Sequence, residues 1–111
     1  MCITNHHIHP LQMDSDGVTF TTHASYLGLP QLRAFYDLHI HLRLRTSEAS
    51  GLIMFNAGKE TDFLALELVE GHVHLVLSTG GRRVELKDNH PSGVDNNQWH
   101  ELTVTRKWII V

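Results

Sequence analysis

The sequence predicts an all-β chain folded as an antiparallel β-sandwich, and three observations carry that prediction. Roughly seven short runs of alternating or continuous apolar residues recur about every 8 to 12 positions, the separation expected of strands joined by turns. One run, Asp37 to Arg45, alternates without a break. Leu38, Ile40, Leu42 and Leu44 fall on one face, and Asp37, His39, His41, Arg43 and Arg45 on the other. No stretch repeats at the helical period, so helix is confined to at most a turn around Gln31 to Phe35.

Residues 1–16 show no period and are expected to be a flexible lead-in. From Gly17 the pattern becomes period two: Val18, Phe20 and Thr22 face one way and Thr19 and Thr21 the other. Tyr26, Leu27 and Leu29 follow before Pro30 stops that strand. After the Asp37 to Arg45 strand, Thr46 to Ser50 is a polar turn, and Gly51 to Phe55 is expected to be a buried strand. The polar run Asn56 to Asp62 is a surface turn that places Asp62 at the rim of a sheet, either solvated or as a ligand. Phe63 to Val69 puts Leu64, Leu66 and Leu68 on one side, and Glu70-Gly71 is a two-residue hairpin link. His72 to Ser78 returns with Val73, Leu75 and Leu77 inward and His72 and His74 outward. Thr79-Gly80-Gly81 turns again, Val84 and Leu86 mark a short strand, and Asp88 to Asn97 is a long polar loop. The last strand, Trp99 to Thr105, sets His100, Leu102 and Val104 against Trp99, Glu101, Thr103 and Thr105.

The chain has 111 residues, 41% of them hydrophobic, enough for one core. A chain of this size buries somewhat over ~60% of the surface that it exposes when unfolded. Its net charge of -3 and its scattered arginines do not form the concentrated basic surface that nucleic acid or an acidic membrane requires. No run approaches the roughly 18 apolar residues of a membrane-spanning helix, and the first ten residues, with His6, His7 and His9, lack the apolar centre of a secretory signal. The single cysteine, Cys2, leaves the redox compartment open.

Catalytic chemistry finds little support. Ser25, Ser47, Ser50, Ser78 and Ser92 lack a glycine-elbow context, and Cys2 falls in the lead-in. Glu67 and Glu70 are expected on different faces and do not pair. Histidines offer the alternative of a small metal-binding β-sandwich enzyme: His39-x-His41 and His72-x-His74 each put two imidazoles on a polar strand face and could converge on zinc, with His6, His7 and His9 as a third cluster. Polar-face filler is the competing reading. Trp99 is expected in the core or between sheets.

Several pieces read in order resemble the laminin G-like domain, also called the laminin/neurexin/sex-hormone-binding-globulin (LNS) domain. Val18-Thr19-Phe20 followed by Ser25-Tyr26-Leu27-Gly28-Leu29-Pro30 is similar to its opening strands. Strand-ending Arg45-Thr46, the opening Gly51-Leu52, the hairpin of Asp62-Phe63 with Gly71, and Asn97-Gln98-Trp99-His100 with Arg106 match its later ones. The match covers about Gly17 to Arg106, and 107–111 fits no family position. Family sandwiches continue beyond this point, so the resemblance implies the N-terminal portion of an incomplete domain with a jelly-roll-like fold. It also implies an extracellular or cell-surface binding module of an adhesion or receptor protein, with no enzymatic activity and no membrane contact by this segment. The partner would be a protein ligand, or a glycan, bound at a loop rim associated with calcium. In family members with calcium the acid that opens this hairpin is a ligand, as is a carbonyl at the far end of the next strand. The corresponding residues are Asp62 and Thr79. Two oxygens fall short of the six to eight that calcium takes, and the other family ligands come from later loops.

Overall fold

The structure, a computed structural model, describes residues 2–7, 17–32 and 38–106. The expected turn around Gln31 to Phe35 lies largely outside them, as does the 107–111 tail. Among the described residues eight strands form two antiparallel four-stranded sheets. They are β1 (Cys2–His7), β2 (Val18–Thr19), β3 (Leu38–Arg45), β4 (Gly51–Ala57), β5 (Phe63–Val69), β6 (His72–Thr79), β7 (Arg82–Lys87) and β8 (His100–Arg106). The first sheet has the order β2-β1-β3-β8 and the second β4-β5-β6-β7.

Alternation sets which side chains meet. Leu38, Ile40, Leu42 and Leu44 of β3, with Val104 of β8, turn toward Leu64, Leu66 and Leu68 of β5 and Val73 and Leu77 of β6, forming one buried cluster. Each fully buried leucine contributes roughly 1.5–3 kcal/mol over its exposed state, so this cluster holds the two sheets together. β5 and β6 are the central strands of their sheet and form the register Leu68↔Val73, Leu66↔Leu75 and Leu64↔Leu77. Their turn, Glu70-Gly71, has positive φ at both residues (51° and 84°), the conformation that a two-residue hairpin needs to follow the strand twist.

Three expectations are corrected. The lead-in contains a strand: Cys2–His7 pairs with β3 in the register Ile3↔Leu44 and Thr4↔Arg43, and with β2 through Ile3↔Val18. Its sequence carries no apolar period, and what draws it into the sheet is the free backbone edge of β3, which any extended segment can satisfy. The strand expected to run from Val18 toward Pro30 ends at Thr19. Tyr26 is 88% exposed, and every residue from Thr21 to Pro30 is exposed, so the segment does not bury alternate side chains. Finally, β4 is an edge strand. Leu52 and Phe55 are more than half exposed, and a bulge between Leu52 and Met54 shifts which face each residue takes.

The two ends of the sandwich differ. At one lie the 46–50 turn, the Glu70-Gly71 turn and the loop between β7 and β8. Here Asn97 donates its N–H to Thr46 O (2.8 Å), Gly71 to Ala49 O (2.7 Å) and Val94 to Gly71 O (2.7 Å), and Thr46 and Val94 are buried. At the other end lie the turn between β4 and β5 and the Gly80-Gly81 turn.

Candidate functional site

That second end carries Asp62. Gly58 N–H donates to Asp62 O (2.7 Å) and Asp62 N–H to Lys59 O (3.0 Å), with Glu60 in the left-handed region at φ 57°, so the backbone reverses tightly just before β5. A Cβ on Gly58 would stand 3.1 Å from Asp62 Cβ, which makes the glycine part of the acid's support. Phe63 pairs with Ser78, so the register one step outward sets Asp62 beside Thr79. Asp62 Oδ1 accepts a hydrogen bond from Gly80 N–H at 3.2 Å. Asp62 and Thr79 therefore come together at one rim, the first on the β5 side and the second on the β6 side. Among the described residues no group of three or more His, Cys, Asp or Glu side chains is placed to hold a metal ion.

The histidine pairs do not converge, which corrects the zinc alternative. His39 and His41 alternate with buried Ile40 and Leu42 and lie on the outer face of the first sheet; His72 and His74 alternate with Val73 and Leu75 and lie on the outer face of the second. The core, about 10 Å thick between packed sheets, separates them. His41 faces Glu101 on β8 (3.7 Å). The side chains of His6, His7 and His9 lie outside the described residues.

Two arrangements escaped sequence reasoning. Trp99 is 38% exposed rather than in the core, with the Arg43 and Arg45 guanidiniums 5.0 and 5.2 Å from its ring centroid on the outer face of the first sheet. The alternation that puts His100 inward forces its neighbour outward, a signal already present in the strand pattern. Asp88, immediately after β7, is a three-way latch. Its Oδ1 lies 2.9 Å from His72 Nδ1, where the ring donates because a carboxylate only accepts. Its two oxygens also accept the N–H groups of Val73 and His90, while Asp88 N–H donates to Val73 O (2.9 Å). Burial works to raise the pKa of this carboxyl. The hydrogen bonds from His72, Val73 and His90 and the attraction of His72 outweigh it and hold the pKa below the ordinary aspartate value.

Comparison with known proteins accounts for this architecture. The laminin G domain family matches residues 44–109, a span that includes Asp62, Thr79 and the Trp99-His100 pair. The chain belongs to the laminin G domain family. Neurexin-3a of Danio rerio is 39% identical over 92 residues, and Neurexin-2 of Mus musculus 38% identical over 92 residues, each alignment covering 83% of this chain and 5% of the relative. Neurexin 1 of Drosophila melanogaster is 38% identical over 88 residues, 79% of this chain and 5% of its own length. The chain thus spans about a twentieth of these relatives. Among solved structures, domains LG4-5 of the mouse laminin alpha1 chain superpose with a TM-score of 0.62 at 29% identity, over 71% of this chain and 21% of that one. The laminin G assignment agrees with the all-β sandwich.

Proposed function

We propose that this laminin G domain chain is a binding module of an extracellular or cell-surface adhesion or receptor protein, and that it engages a protein ligand at the rim of Asp62, Thr79 and the Gly80-Gly81 turn. The observation that carries the proposal is the hydrogen bond from Gly80 N–H to Asp62 Oδ1 (3.2 Å), which ties the acid to the end of β6 where Thr79 lies. The donor set suits calcium: a carboxylate and a main-chain carbonyl are hard oxygen ligands, and a second carboxylate oxygen remains on Asp62. Asp62 and Thr79 would supply two of the six to eight oxygens, and water or further protein groups the rest. A bound cation would fix the geometry of the two turns and present their exposed residues, Lys59 to Thr61 and Gly80 to Arg82, as a recognition surface. Among the described residues Lys59 and Arg82 bring cationic side chains to this rim, fewer than the basic cluster that a sulfated glycan requires. Arg83 is engaged by Glu85 (2.8 Å) and Lys87 closes the far end of β7, which favours a protein ligand over a glycan.

Calcium titration followed by thermal unfolding tests the site. The wild-type midpoint should rise with Ca²⁺ by mass action, and Asp62→Ala should abolish the rise while leaving the fold intact without calcium. A wild-type midpoint indifferent to millimolar Ca²⁺ would remove calcium from this rim. The protein-ligand reading is tested by binding of the full chain to cell-surface ectodomains: Lys59→Glu and Arg82→Glu should weaken that binding, and a complex indifferent to both substitutions would place recognition elsewhere.

A further inference from the structure

We infer that the free edge of β7 is a self-recognition surface, through which two copies of this chain pair antiparallel into a closed dimer with one continuous sheet. Every residue of β7 is exposed, and among the described residues no strand lies along its outer edge. Two of its inward-face side chains are apolar, Val84 at 47% and Leu86 at 58% exposure. The opposite edge of this sheet, β4, is less open. The Gln31 side chain donates to Ala57 O, and Asn56 exchanges two hydrogen bonds with the Leu32 backbone.

Backbone geometry limits the possible registers. Thr79 and Arg82 flank the two-residue Gly80-Gly81 turn and form the hydrogen-bonded pair that closes the hairpin. Arg82, Val84 and Leu86 therefore direct their N–H and C=O groups to β6, and Arg83, Glu85 and Lys87 direct theirs outward. A two-fold partner can bond only to the outward set, so the registers differ by steps of two; a one-residue slip would also set one copy's inner face against the other's outer face.

Charge then selects among the registers that remain. With Val84 opposite Val84 of the second copy, each Arg83 stands opposite Glu85 of the other. The outward backbone groups of these two residues bond in both directions, and the aliphatic stem of Arg82 lies beside Leu86. Five residues of each strand pair, with two cross-strand ion pairs on one face and the two valines on the other. With Glu85 opposite Glu85, Arg83 would face Lys87, and every charged pair within the two strands would repel. With Arg83 opposite Arg83, the glutamates would be left facing glycine. With Leu86 opposite Leu86, Lys87 would meet Glu85, but only the last three residues of the strand would pair. One register alone combines length with opposite charge, and its two-fold symmetry stops assembly at two chains.

Sedimentation equilibrium of the full 111-residue chain over a wide concentration range tests this pairing. The expected result is a reversible monomer–dimer equilibrium that weakens as salt is raised. Glu85→Arg sets two pairs of guanidiniums against each other and should weaken dimerisation at least about tenfold. The double variant Arg83→Glu/Glu85→Arg restores opposite charge at both pairs and should recover it. Both positions are solvent-facing, so unfolding of the monomers should be almost unchanged, which separates loss of pairing from loss of fold. A chain that stays monomeric at the highest concentration would overturn the proposal and make the β7 charges a guard against edge pairing. So would a dimer that Glu85→Arg leaves intact, or open-ended assembly beyond two copies.

Discussion

The two ends of the sandwich are built from the same parts, tight turns between antiparallel strands, but they are tied down differently. At the end holding Thr46, Gly71, Asp88 and Val94, three connections between strands hydrogen-bond to one another, and Val94 enters the core. At the Asp62 end each turn closes mainly on itself, and Gly80 N–H donating to Asp62 Oδ1 links the two turns. One end is thus fixed by folding and the other retains polar groups that folding does not consume. Interaction sites reside on loops of the second kind, held by a scaffold of the first.

Substitution at Asp88 should have the largest effect. Asp88→Ala leaves the Val73 and His90 N–H groups and the His72 ring without their shared acceptor in a partly buried place, and should cost about 2 kcal/mol in denaturant unfolding at neutral pH. The sign of its pH dependence follows from the lowered native pKa. The unfolded chain binds a proton at this carboxyl more readily than the native one, so the contribution is complete above the ordinary aspartate pKa of about 3.9. It declines as pH falls through that value toward the lower native one. The stability gap between wild type and Asp88→Asn should accordingly shrink as pH falls below about 4. A gap that keeps growing as pH falls below about 4 would contradict the latch.

A pair of glycines isolates crowding from backbone strain. Gly71 and Gly80 both have positive φ (84° and 57°), so alanine carries a left-handed penalty of about 1–2 kcal/mol at either position. Around Gly80 nothing else lies within 4 Å of an added Cβ, whereas at Gly71 it would stand 2.6 Å from Asp95 Oδ1 and require that carboxylate to move. Gly71→Ala should therefore cost about 2 kcal/mol or more, and Gly80→Ala about 1 kcal/mol. Equal losses in chemical denaturation would mean that Asp95 yields freely and that the crowded end is looser than its hydrogen bonds imply.

Much of this contrast was legible in the sequence, and the parts that were not have physical reasons. Leu38 to Leu44 and Leu64 to Leu68 alternate because each strand buries one face, so faces and register could be read directly. β4 misled because Leu52-Ile53-Met54-Phe55 is a continuous apolar run, which describes a strand buried on both sides equally well as a bulged edge strand with one-sided burial. β1 was invisible because its pairing with β3 is a matter of backbone bonds, which no side-chain period records. Asp62 and Thr79 were paired through the family resemblance, and the β5–β6 register then sets them side by side. Asp88 was read only as loop, since its partners Val73 and His72 come from a strand 15 and 16 residues away.

The smallest expected effect is the sharpest test of the comparison. Asp62→Ala removes a single exposed hydrogen bond at 3.2 Å, and Gly80 N–H can turn to water in its place. In calcium-free buffer the loss should stay within about 0.5 kcal/mol, far below that of Asp88→Ala although both substitutions delete one carboxylate beside a turn. If Asp62 instead proves as costly as Asp88, its carboxylate is consumed by folding, and the rim has no spare oxygen for a cation or partner. A near-silent substitution in calcium-free buffer that becomes conspicuous once millimolar Ca²⁺ is added would separate the two carboxylates by task, because a ligand that binds only the native state enlarges the loss in proportion to its own binding free energy.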